Sequence, residues 1–137
     1  MEINEAERLC DRWLPLWTGN RPEELIQAYA DDVFYRDSSN PEGVKGKPAF
    51  LAYLRRLLAR FPDWVYEAES IIPMEGGFVL RWHATIPVGG SVLNETGMDL
   101  VFVDQGRITG NEVYFDRAAP PEELRRADSD GARHERG

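Results

Sequence analysis

A chain of 137 residues builds one domain with one pocket as its limit and leaves no room for a separate cofactor-binding domain. Its 24 acidic against 16 basic residues give a net charge of -8, with no block of Lys or Arg; this argues against nucleic acid or an anionic membrane as partner and leaves small molecules and protein chains. Met1 to Glu5 lacks a basic-then-apolar leader, and no apolar run approaches the ~20 residues that span a bilayer, so a soluble cytoplasmic protein is expected. Cys10 is the only cysteine, which rules out an intrachain disulfide and a cysteine zinc cage; it reads as core filling on the first helix.

Ile3, Ala6, Leu9, Cys10, Trp13 and Trp17 recur at helical spacing, so an amphipathic helix is predicted over 3–17, kinked or closing at Pro15. Pro22 suits the first turn of a second helix that buries Leu25, Ile26 and Tyr29. An alternating strand follows at once and carries Asp37 at its tip. Tyr35 and Asp37 share one face, while Phe34 and Arg36 share the other. Gly43 and Gly46 mark a loop. Pro48 then opens a third helix whose apolar face is Phe50, Leu54, Leu57, Leu58 and Phe61, until Pro62 stops it.

Beyond Pro62 the period becomes alternating, which predicts strands at 64–73, 77–87, 92–104 and 107–116, punctuated by Gly76-Gly77, Gly89-Gly90 and Gln105-Gly106. Three helices followed by an antiparallel meander define an α+β fold with the helices gathered on one sheet face. The folded domain is expected over 1–117. The segment 118–137 reads as a charged tail, a short helix and then disorder.

Several residues carry candidate chemistry. An acid on the inward face of a half-buried strand, such as Asp37, needs a partner or a purpose. Lifted in pKa by an apolar pocket, it removes a carbon-bound proton or activates water; alternatively it caps the turn Ser38-Ser39-Asn40 or pairs with Arg36 or Arg81. Arg81 and His83 share one face of their strand, with Leu80, Trp82, Ala84 and Ile86 on the other. His83 is a proton shuttle near neutral pH or a hydrogen-bonded structural histidine. Trp13, Trp17, Trp64 and Trp82 fill core or wall a pocket for a flat apolar ring. No spacing motif supports a metal site on His83, Asp37 and Asp99, nothing cradles phosphate, and no cofactor is expected.

Four stretches carry a family resemblance: AYADDVFYRD at 28–37, GKPAFLAYLRRLLARFPDW at 46–64, RWHATIP at 81–87 and GMDLVFVDQGRITGNEVYFD at 97–116. Together they resemble the SnoaL-like polyketide cyclase family, within the nuclear-transport-factor-like and ketosteroid-isomerase-like superfamily, over residues 5 to 117. The resemblance implies a cystatin-like or SnoaL-like α+β barrel, in which a curved antiparallel sheet wraps three N-terminal helices into a cone with an open mouth. It also implies a homodimer.

By position, Asp37 falls at the general base of the similar isomerases and Asp99 at their protonated, oxyanion-binding acid; alternatively Asp99 forms an ion pair with Arg81, both satisfied inside the cone. Tyr35 falls at a water-positioning tyrosine of the similar limonene epoxide hydrolases. The resemblance turns Arg81 and His83 inward and the Trp82 face outward against a partner subunit. Two positions depart from the pattern: Trp13 stands where the isomerases have a first-helix tyrosine, and Val113 stands where the hydrolases have an aspartate, with Asn111, Glu112 and Asp116 nearby. A slip of one residue would put Glu112 in its place. The superfamily includes isomerases, cyclases, epoxide hydrolases, dehydratases and proteins that only bind.

The expected function is cofactor-independent acid and base chemistry on a hydrophobic carbonyl compound, such as a polyketide or steroid-like ring. Asp37 would remove a proton, Asp99 or His83 would steady the enolate or return the proton, and Arg81 would hold charge or orient Asp37. Trp13, Trp17, Tyr35, Asn111 and Val113 would line the pocket. The competing expectation is a ligand carrier or assembly subunit on the same cone, with epoxide hydrolysis disfavoured.

Overall fold

A computed structural model describes residues 1–115; the expected tail 118–137 lies outside them. The first helix, α1, spans Ile3–Trp13 and passes into a 3-10 turn at Leu14–Trp17. Pro15 sits in the first turn of that segment, where its missing N–H and its ring clash with a continuing α-helix. Helix α2 (Pro22–Leu25) starts at its proline and ends in a 3-10 turn, Ile26–Ala28. Strand β1 (Tyr29–Asp37) follows with no loop between them.

Strand β2, Asn40–Lys45, stands where a loop is expected from sequence. It pairs antiparallel with β1, placing Tyr35 opposite Val44 and Asp37 opposite Asn40. Gly43 marks a close approach instead of a loop: it lies at φ +83, and a Cβ there would stand 2.6 Å from Phe34 Cζ, a space and a backbone conformation that only glycine fits. Helix α3 (Lys47–Arg60) buries Phe50, Leu54 and Leu58.

Strands β3 (Val65–Met74), β4 (Gly77–Val88), β5 (Ser91–Asp104) and β6 (Arg107–Tyr114) fall within two residues of their expected ends. The sheet order is β2-β1-β6-β5-β4-β3. Its meander is antiparallel, but β1 joins β6 in parallel, setting Tyr35 beside Asn111 and Arg36 beside Glu112. That pairing joins strands from opposite ends of the chain, so no hairpin constrains its direction. The result is an α+β cone, in which three helices lie inside a curved, unclosed six-stranded sheet. Among the described residues no helix is long and apolar enough to cross a membrane.

The faces of β4 correct one expectation. Phe78, Leu80, Trp82, Ala84 and Ile86 are buried, whereas Arg81 is exposed and His83 half-buried. The apolar face therefore points into the cone and the Arg81 and His83 face points out. Side chains alternate with period two, so a one-residue difference in register exchanges the faces of the whole strand. Burying an all-apolar row is worth about 1.5–3 kcal/mol per large side chain, and burying Arg81 in its place would require a partner for its charge.

Candidate functional site

Aromatic rings form a nearly continuous inner wall. Tyr35 stacks on Phe50 with ring centroids 4.6 Å apart, and Tyr29 meets Phe50 edge-on at 4.7 Å. Trp17 bridges Trp13 at 6.3 Å and Tyr66 at 6.2 Å; Trp82 then contacts Tyr66 at 5.3 Å and Phe115 at 5.4 Å. Such pairs add shape and rigidity to the burial of large apolar surfaces.

Into this wall the structure inserts one carboxylate, Asp99. It lies on the inward face of β5, opposite Leu80 on β4 and Val113 on β6. It is 5 % exposed. Trp82 Nε1–H donates to Asp99 Oδ1 at 2.8 Å, and Asn111 Nδ2–H donates to Asp99 Oδ2 at 2.9 Å. Asn111 is itself fully buried, and its Oδ1 accepts the Tyr29 hydroxyl at 2.9 Å. The Tyr29 oxygen in turn accepts Trp13 Nε1–H at 3.0 Å.

The direction of this chain follows from its ends. An indole donates and never accepts, so Tyr29 must accept from Trp13 and pass its own proton on to Asn111. The amide N–H of Asn111 is then left to face Asp99. Burial pushes the Asp99 carboxyl up to about 6; the bonds from Asn111 and Trp82 oppose that rise, and the charge of Asp37 adds to it. Asp99 thus changes charge close to neutral pH.

Asp37 is spent elsewhere. Its Oδ1 accepts the backbone N–H groups of Ser39 (3.0 Å) and Asn40 (2.9 Å), capping the β1–β2 turn. Its Oδ2 accepts the hydroxyls of Tyr35 (2.8 Å) and Tyr53 (2.7 Å). Four donors on two oxygens saturate a carboxylate that joins the hairpin to α3. Both tyrosines are held protonated, Tyr35 and Tyr53 being raised first by burial and then by this acid.

The other expected site residues fall in two groups. Trp13, Trp17, Tyr35, Asn111 and Val113 lie on the inner side, with Asn111 in contact with Asp99 and Val113 directly across from it. His83 and Arg81 lie outside. His83 Nε2 is 2.9 Å from Asn94 Oδ1, and its Nδ1 is 3.9 Å from Glu69 Oε1. The expected convergence of Asp37, His83 and Asp99 on one cavity therefore does not occur, nor does an Asp99–Arg81 ion pair, because the two side chains leave the sheet on opposite faces. On β6 Asn111 and Val113 face inward, and Glu112 points outward beside Arg36 at 4.0 Å.

Sequence reasoning missed Tyr29, Tyr53 and Trp82 as polar partners. The unbroken apolar alternation of Leu80, Trp82, Ala84 and Ile86 was the signal for Trp82, and Tyr53 stands one helical turn from the core residue Phe50. Cys10 is buried and its thiol is pushed up to about 12, which makes it inert as a nucleophile. Among the described residues no group of three or more His, Cys, Asp or Glu is placed to hold a metal ion.

The curved sheet around three helices, with one acid set into an aromatic wall, defines the fold class as an α+β cone. Residues 10–111 match the SnoaL-like domain, and the chain belongs to that family. No curated protein matches it in sequence. Solved structures share its fold. A candidate polyketide cyclase from Acidithiobacillus ferrooxidans is 21% identical, with 93% of this chain and 99% of that one covered and a TM-score of 0.74. An epoxide hydrolase of the LEH-like type from M. tuberculosis is 20% identical, covering 98% of each chain with a TM-score of 0.71. A hypothetical protein of ketosteroid isomerase-like fold from Catenulispora acidiphila, solved in complex with trimethylamine, is 16% identical, covering 81% of this chain and 87% of that one at 0.70.

Proposed function

We propose that this chain is a small-molecule pocket protein that performs cofactor-independent acid and base chemistry on a hydrophobic carbonyl compound, of isomerase or cyclase type. The observation that carries this reading is Asp99: a buried carboxylate set among aromatic rings and raised to about 6. A base with a pKa near the working pH combines availability with driving force. Asp99 removes a proton from the carbon next to the carbonyl, the electron pair moves to the carbonyl oxygen, and the proton returns from Asp99 to a second carbon. Trp82 and Asn111 hold the carboxyl in one orientation throughout. Asp37 has a positioning role, fixing Tyr35 and Tyr53 in the wall.

Exchange of α-protons tests this without knowledge of the natural substrate. In D2O the protein should catalyse deuterium uptake into cyclic β,γ-enones or 1,3-diketones, followed by proton NMR, and Asp99→Asn should abolish it. Uptake that persists in Asp99→Asn would overturn the assignment.

A second reading, ligand binding without catalysis, is favoured by the saturation of Asp37 and by the wall's dense ring contacts. It predicts saturable binding with no exchange. In either case we place a homodimer contact on the outer sheet face, where Ile72 and Phe102 are exposed, and not on the Trp82 face. Sedimentation of wild type against Phe102→Glu tests that placement.

A further inference from the structure

Two clefts of similar size differ sharply in charge. One, of about 500 Å³, lies between α1 and β3 and is lined by Glu7, Asp11, Glu67 and Glu69. The other, of about 480 Å³, lies where the ends of β1 and β6 meet the middle of β5. Among the described residues lining this second cleft, Arg36 is the single charged side chain. In a chain of net charge -8 a concave site whose one charge is a guanidinium selects for anions.

The remaining lining suits the rest of a ligand. Met98, Val113 and Phe115 supply an apolar bed, while Ser38, Thr96 and Tyr114 bring hydroxyls. The guanidinium of Arg36 lies 5.8 Å from the Tyr114 ring centroid, which holds it over the cleft. On its other side Glu112 stands 4.0 Å away, well beyond the 2.7–2.9 Å of a charge-assisted hydrogen bond. The Glu112 Oε1 atom is engaged by the Tyr114 hydroxyl at 2.8 Å. A carboxylate entering the cleft can therefore make the closer, forked contact that Glu112 does not make.

The cleft touches two backbone neighbours of the acid, Gly97 and Val113. Val113 is the direct cross-strand neighbour of Asp99, and Gly97 precedes Asp99 by two on the same face of β5. The indole of Trp82 covers Gly97 so closely that a Cβ there would stand 2.2 Å from Trp82 Cζ2. That indole is the same one that donates to Asp99. A ring lying against Val113 and Phe115 thus has its anionic end at Arg36, in a cleft that Asp99 itself does not line.

We propose that this cleft binds the anionic end of a ring compound, with Arg36 as the specificity-determining residue for a carboxylate. The inference deepens the reading above by naming the substrate class, carboxylated apolar rings. It rests on that reading only for the word substrate, since binding can be read without turnover.

Calorimetry on the full chain with 2-naphthoate and its neutral counterpart 2-naphthamide supplies the test. Wild type should bind the acid about tenfold more tightly than the amide. Arg36→Gln should lower the affinity for the acid about tenfold and leave that for the amide unchanged, with Arg36→Lys between them. Thr96→Trp, at an exposed strand position on the cleft rim, should block both ligands. Equal affinities for acid and amide, no binding of the acid, an Arg36→Gln protein indistinguishable from wild type, or full binding by Thr96→Trp would each overturn the proposal. Failure of the Asp99 chemistry is read separately, as deuterium uptake that survives in Asp99→Asn.

Discussion

Trp82 and Asp99 are joined diagonally across two strands. Trp82 pairs with Gly97 and Asp99 with Leu80, yet the indole N–H reaches Asp99 Oδ1 at 2.8 Å because Gly97 has no side chain in its path. One glycine thus lets a core tryptophan serve as the hydrogen-bond donor of a buried acid.

Gly97→Ala should therefore act on the acid as well as on packing. The new methyl group must displace the Trp82 ring, with an overpacking cost of about 1–3 kcal/mol and loss of the bond to Asp99. Urea unfolding reads the first effect, and the pH profile of proton exchange, displaced to higher pH, reads the second.

The pH dependence of stability has a definite sign. Asp99 moves from 3.8 to about 6 on folding, so between these values the folded state binds more protons than the unfolded state. Its contribution to stability is then largest below pH 4 and falls as pH rises toward 6, by roughly 2–3 kcal/mol. The difference in unfolding free energy between wild type and Asp99→Asn, measured from pH 4 to 7.5, should shift against the wild type by this amount. A difference that stays flat with pH would show that Asp99 keeps an ordinary carboxylate pKa.

Asp37→Ala should behave as a structural lesion. It leaves two backbone N–H groups and the Tyr35 and Tyr53 hydroxyls without their acceptor, at a cost of about 2–4 kcal/mol. Proton exchange per folded molecule should stay within a factor of about three of wild type, far from the loss of two or more orders of magnitude that removing a general base produces. Thermal melts and NMR exchange on the same sample separate the two.

His83→Gln and Arg81→Ala should alter stability by no more than about 0.5 kcal/mol, as expected for solvent-facing positions. Exchange should be unaffected in both. A collapse of exchange in either variant would mean that β4 presents its other face to the pocket.

Tyr29→Phe should uncouple Asn111 from Trp13. The amide then loses the hydroxyl that fixes its orientation, at a cost of about 1–2 kcal/mol, and its bond to Asp99 weakens. The Asp99 titration should move upward, visible as a shift of its carboxyl carbon resonance with pH.

What the sequence determined by itself was the fold. Helical and alternating periods, stopped by Pro15, Pro62 and the glycine turns, placed three helices and five of the six strands, because hydrophobic period and chain breakers are local properties. The motif at 28–37 and the β6 stretch pointed to the family, and Asp99, Asn111 and Val113 came out on the inner face. Only the tertiary structure decided which of the two acids is saturated by hydrogen bonds. Asp37 and Asp99 look alike as inward-facing aspartates, but Asp37 is saturated by a turn and by Tyr53 from another helix, while Asp99 is reached by Trp82, Asn111 and, through Tyr29, by Trp13. The bonded pairs of the Asp99 chain lie 12 to 82 residues apart, so their meeting depends on register and strand order, which no local pattern contains. The facing of β4 shows the same limit: both of its faces could be written down from the sequence, but only the burial of the Trp82 row inside the cone settled which one turned inward.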